Sequence, residues 1–334
     1  MTIRARVAVV LASVALAAAS AHAQASQKAL LLVVNQGDHT LSLIDPATDT
    51  EVAAIPVGGV TGHEVTSTPN GRTAFVPIYG DSGVGRAGTD GSSMAVIDLA
   101  TRKLVNTVDF GHGVRSHMPL FDRNSGMLYV STELDKAITI IDPKTLKIVG
   151  KIPTGQEQSH MFVLSPDGKR GYTANVGPGT VSVLDIAARK TVTVIPVSAK
   201  TQRISISPDG RMAFTADQTK PQMAVIDTAT NTLKAWIPLP AVGYGSAVTQ
   251  DGQSLLVQMG TLKQVAVIDL GTMKVTRTVD VCSGTGEILV RPDGKVAYVS
   301  CPVDGEVAKI DLATWRAVKM IAAGKKADGL AWAK

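Results

Sequence analysis

Ser116-His117-Met118 and Ser159-His160-Met161 repeat one tripeptide 43 positions apart, and His63, in TGHEVTSTPNG, stands at a comparable landmark. His63 and His160 each lie six residues before the proline of a turn, Pro69 and Pro166, and His117 keeps that place with one extra residue before its own turn. If such places converge, neutral imidazoles would ligate a transition metal or hydrogen-bond a bound ligand; three with an open position suit zinc or copper. Arg203, with Gln202 beside it, continues the series. Asn35, Glu133, Asn175 and Asp217 end neighbouring β-rich runs and are expected to add polar groups to the same rim. No G-x-S-x-G, H-E-x-x-H or C-x-x-C-H occurs. A serine-hydrolase elbow, a zincin helix and covalent haem c are therefore not expected.

Positioning these residues falls to an internal repeat. The turns TPNG, RNSG, SPDG, SPDG, TQDG and RPDG end at Gly71, Gly126, Gly168, Gly210, Gly252 and Gly294, at intervals of 55 and then four of 42. Apolar runs such as LSLID, ITIID and MAVID end at Asp45, Asp98, Asp142, Asp185, Asp227, Asp269 and Asp311. Pro-Asp-Gly reverses the chain between two antiparallel strands, with glycine free to take positive φ. Runs such as LYVS and AFTA follow as strands, then the run ending in aspartate, then a DxxT turn and a fourth run. Four short strands per period of about 42 residues predict propeller blades.

The inner strands start near His63, His117, His160, Arg203, Gly245, Glu287 and Asp328. The last, GLAWAK, has no blade of its own, and ALLLVVN near the N-terminus lacks an inner partner. Their pairing would close the ring and remove exposed edges. The expected fold is all-β: a seven-bladed β-propeller of four-stranded blades over residues 24–334. Equivalent places in consecutive blades differ by a seventh of a turn, so the three imidazoles would crowd one side of the mouth. Successive strand residues point to opposite faces, so Met118 and Met161 are expected to pack inside blades. The competing reading is architectural: each histidine bonds a neighbouring backbone or carboxylate and locks its blade.

The stretch SPDGKRGYTANVGPGTVSVLDIAARKTVTVIPV resembles the YVTN-type β-propeller repeat of extracytoplasmic seven-bladed propellers, across residues 28–334. The placing of the histidines is similar to that in cytochrome cd-type nitrite reductases, where histidines at corresponding strand starts overhang a non-covalent haem. This resemblance implies a non-covalent haem as one candidate cofactor, beside a bare transition metal. It also marks a departure: those propellers have eight blades and a separate cytochrome c region, whereas this chain has seven repeats and no C-x-x-C-H.

The 55-residue interval holds an insertion, Tyr79 to Ser93, read as a lid loop that includes Tyr79, Gly83, Arg86 and Asp90. Its G-x-G-x-x-G lacks the strand-to-helix setting of a dinucleotide site. Residues 1–23 carry two arginines, an apolar run and an Ala-x-Ala ending, the pattern of a removed secretory signal peptide. A periplasmic address is expected, with no membrane span in the mature chain. Cys282 and Cys301, an isolated pair bound for an oxidising compartment, are expected to form a disulfide. The mature chain has 31 basic against 28 acidic residues and few aromatics, which disfavours nucleic acid as a partner.

The function these features favour is a periplasmic binding or accessory protein. Its funnel, lined by His63, His117, His160 and Arg203, would hold a metal, a haem-like tetrapyrrole or another small ligand. The alternatives are a metal-dependent lactonase or lyase using histidine and Glu133 as acid and base, and an interaction scaffold for a redox-protein partner.

Overall fold

The computed structural model describes residues 29–334, and the signal peptide expected over residues 1–23 lies outside them. Turn chemistry sets the blades. In the Ser165–Gly168 turn, Asp167 Oδ1 accepts from the Ser165 hydroxyl at 2.7 Å and from the Lys169 amide at 3.1 Å. Gly168 takes φ 69°, a left-handed conformation that favours glycine. The DxxT turns work alike: Asp98, Asp269 and Asp311 each accept from the amide and hydroxyl of the threonine three residues on.

Between these turns the described residues form seven four-stranded antiparallel sheets. Blade 2 spans Thr66–Asp109, blade 3 Ser116–Pro153, blade 4 Ser159–Pro196, blade 5 Thr201–Pro238, blade 6 Ser246–Asp280 and blade 7 Ile288–Ala322. Blade 1 joins Leu30–Pro56 to the C-terminal strand Ala327–Ala333. The pairing runs from Leu30 against Ala333 to Asn35 against Ala327, so the ring closes as expected. One 3-10 turn, Gly260–Leu262, is the helical content of the described residues.

The core lies between blades. Leu32, Val34, Leu41 and Leu43 of blade 1 pack on Val76 and Ile97 of blade 2, and Phe214 and Met223 of blade 5 pack on Leu255 and Val257 of blade 6. Each such side chain removed from water contributes about 1.5–3 kcal/mol, so every blade is stabilised by its neighbours. Cys282 and Cys301 form the expected disulfide, with Cα atoms 5.6 Å apart. It ties the connector entering blade 7 to the end of that blade's second strand. No helix among the described residues is long and apolar enough to cross a membrane.

Candidate functional site

The chain enters the inner strands of blades 3, 4 and 1 through a local kink. Arg115, Gln158 and Lys326 take φ 50°, 52° and 55°, each two residues before His117, His160 and Asp328. These non-glycine left-handed residues each cost about 1–3 kcal/mol; they turn the next residues toward the axis. Positions 160, 202, 244, 286 and 328 are evenly spaced by 42. His160, Gln202, Tyr244, Gly286 and Asp328 therefore form one ring with His63 and His117. The sequence reading centred on Arg203 and missed Tyr244; the 42-residue step alone would have found it.

Three imidazoles and a phenol make the compact side of this ring. His117 and His160 have centroids 3.6 Å apart, and His63 lies 5.2 Å from His117. Tyr79 sits 4.8, 5.3 and 5.5 Å from His63, His117 and His160. Glu133, buried, accepts from the Tyr79 hydroxyl at 2.7 Å and bonds His160 Nδ1 at 3.1 Å through the same oxygen. On the other flank His63 Nδ1 meets the Gln36 side-chain nitrogen at 3.2 Å, and that amide also donates to Asp328. His117 Nδ1 is buried with no hydrogen-bond partner.

Burial sets the charge state. It pulls His63 from 6.5 down to about 4, outweighing the nearby Asp328 carboxylate. It holds His117 well below the usual imidazole range, and His160 below it despite the bond to Glu133. The trio is neutral at neutral pH. For Glu133 burial pushes upward, but the bonds from His160 and Tyr79, with Arg115 nearby, win and keep its carboxyl below the ordinary value. Burial raises the Tyr79 phenol, so it stays protonated.

Beneath the ring, Arg203 is buried and takes φ 57° within a bulge of its strand. It donates to Glu64 and, at 3.0 Å, to Asp328, and its guanidinium lies 5.2 Å from the Tyr244 ring centre. Burial pushes Glu64 and Glu287 upward, and Glu64 Oε2 has no hydrogen-bond partner. Arg203 divides the axis. On the histidine side lies a cavity of about 680 Å³, whose walls include the three histidines, Tyr79 and Tyr244. On the other side lies one of about 250 Å³, whose walls include Met118, Met161 and Glu287. The two methionines also pack between blades, as expected. The strand starts are bulged, however, so both methionines reach the axis as well.

The remaining expected residues divide. Gly83 and Arg86 of the insertion line the 680 Å³ cavity. Tyr79 is no part of a mobile tip: it is fully buried in the strand Thr73–Gly80, in the wall of the site. Asp90 opens the returning strand and binds Arg115 at 2.6 Å, while Arg115 also donates to the Arg86 carbonyl, so the loop is tethered over the mouth. Asn175 and Asp217 stay out of the cavity. Asn175 bonds Ser159, Thr180 and Ser182, and Asp217 bonds Thr219, Lys220 and Gln222; both hold their own hairpins. Asn35 does the same in blade 1, bonding Thr40, Ser42 and the Gly324 amide. Among the described residues no three His, Cys, Asp or Glu side chains are grouped to hold a metal ion.

Fold and site together define a seven-bladed propeller with a histidine-walled funnel closed below by a salt-bridged arginine. Residues 123–252 match the family model described as the cytochrome D1 heme domain. That segment contains Glu133, His160, Gln202, Arg203 and Tyr244, so the resemblance to haem-carrying propellers is borne out over these blades. Hydrazine synthase of Kuenenia stuttgartiensis is similar in structure, with a TM-score of 0.73 and 21% identity, covering 85% of this chain and 92% of that one. A functionally unknown protein from Desulfotomaculum acetoxidans gives a TM-score of 0.76 at 15% identity, covering 91% and 98%. At these identities both speak for the fold alone. No curated protein matches the chain.

Proposed function

We propose that this chain is a periplasmic binding protein whose funnel holds a carboxylate-bearing tetrapyrrole of the haem kind. The observation that carries this reading is the trio of neutral imidazoles, drawn from three consecutive blades, facing one cavity of about 680 Å³. That volume falls within the roughly 300–1,000 Å³ of small-molecule sites.

The residues fit such a group. A buried, unpartnered imidazole nitrogen, His117 Nδ1, is rare without a ligand to satisfy it. Arg86, Lys200 and Lys326 line the same cavity, and none makes a salt bridge with a described residue. They suit the acidic substituents of a macrocycle. His63, His117 and His160 would hold it from one side of the cavity, while the tethered insertion would exclude water. The bound group would supply redox or axial-ligand chemistry of its own. The match to the heme-domain model supports the reading, and the disulfide supports an oxidising compartment. A bare-metal lactonase or lyase has less support, because His117 and His160 lie ring against ring at 3.6 Å with a 36° tilt and His63 meets His117 edge-on, and among the described residues no three ligating side chains are grouped to hold a metal ion.

Titration of the purified protein with haemin, followed by its Soret band, tests this. Saturable one-to-one binding is expected, and His117→Ala or His160→Ala should each weaken it at least ten-fold, about 1.4 kcal/mol. Absence of saturable binding, or binding indifferent to both substitutions, would overturn the reading.

A further inference from the structure

The three histidines look alike in sequence, but their outer partners differ in kind. Glu133 offers His160 Nδ1 a carboxylate oxygen at 3.1 Å. A carboxylate only accepts, so the proton sits on His160 Nδ1 and the Nε2 lone pair is left for the cavity. The Tyr79 hydroxyl donates to the same oxygen and reinforces its role as acceptor.

His63 faces the opposite demand. The Gln36 side-chain nitrogen contacts a carboxylate oxygen of Asp328. That contact fixes the amide orientation, since its oxygen would be repelled there. The second hydrogen of the same nitrogen points to His63 Nδ1, at 3.2 Å. His63 Nδ1 must therefore accept, and its proton sits on Nε2. Asp328, 3.8 Å from His63 Nδ1, is too far to reverse this and is itself held by Arg203.

We propose that Glu133 and Gln36 are positioning residues that give His160 and His63 opposite tautomers, so that one wall of the funnel presents a lone pair and the other an N–H. This deepens the binding reading above and rests on it for the ligand. The molecule accepted carries an electron-pair-accepting atom toward His160 and an anionic or carbonyl oxygen toward His63. Burial keeps both rings neutral, which leaves the distinction intact at neutral pH. The other charged groups around them are Arg115 beside Glu133, Arg203 beside Asp328, and Arg86, Lys200 and Lys326 in the cavity wall.

Long-range proton–nitrogen NMR on the ligand-free, nitrogen-15-labelled protein at neutral pH tests the proposal directly. His160 should show a pyridine-type Nε2 and His63 a pyrrole-type Nε2. In Gln36→Leu the His63 preference should be lost while His160 is unchanged; in Glu133→Leu, which removes the acceptor, the reverse should hold. The same tautomer at both rings in the wild-type protein, or preferences untouched by either substitution, would overturn it. The wild-type spectrum decides even if a variant fails to fold. Because no ligand is added, the outcome is independent of haemin binding: correct tautomers without binding would sink only the functional reading.

Discussion

At the scale of single residues, charge without water dominates. The unfolded chain protonates His63 near pH 6.5, but the folded protein resists until about pH 4. A depressed imidazole value means the unfolded state binds more protons in that window. Stability should be complete above about pH 6.5 and fall as pH drops toward 4, by on the order of 3 kcal/mol from this residue. Urea unfolding across that range checks it, and His63→Gln should flatten the slope; an unchanged slope would refute the assignment. Arg203 gives a second test. Arg203→Met strands Glu64 and Asp328 without a cation and should cost about 3–5 kcal/mol near neutral pH. The loss should shrink as pH falls, because Glu64, whose carboxyl burial pushes upward, then takes up a proton. Little of this was legible beforehand. His63, His117, His160 and Arg203 stood out because they broke a repeat, whereas Gln36 and Glu64 sit at ordinary-looking positions whose partners arrive from up to 292 residues away.

At the scale of elements, the repeat told nearly everything about strands and little about side-chain direction. Turn glycines and terminal aspartates located the blades, because those residues act through their own local backbone. Asn175 and Asp217 were misplaced for the same reason: they stand at strand ends near the mouth, yet local hydrogen bonds to their own hairpins draw them away from it. Bulges at the inner-strand starts defeated the alternation rule, which assumes an unbroken ladder, and so hid the second exposure of Met118 and Met161. The insertion yields a test at this scale. Arg115 ties it down through Asp90 and the Arg86 carbonyl. If that tether is worth about 1 kcal/mol, Arg115→Ala should speed proteolytic nicking within residues 81–89 about five-fold. Mass spectrometry of the fragments would show it, and cleavage elsewhere at unchanged rate would serve as the control.

For the molecule as a whole, closure and the disulfide carry the predictions. Deleting residues 327–334 removes the inner strand of blade 1 and bares Leu31, Leu32 and Val33, each fully buried in the intact ring. The truncated protein should be insoluble or unfolded by circular dichroism; a cooperative melt near the full-length one would contradict the ring's dependence on that strand. Replacing Cys282 and Cys301 with serine frees a 19-residue link and should cost about 3 kcal/mol, read as a lowered midpoint in denaturant. Seven blades and their closure were readable in advance, since propeller geometry follows from period and strand count. The dividing of the axis was not. Arg203 is the one residue common to the linings of the 680 and 250 Å³ cavities among the described residues, so its ion pairs with Glu64 and Asp328 stand between the two. A molecule passing from one cavity to the other must first part those ion pairs, so the histidine side and the methionine side should fill and empty independently.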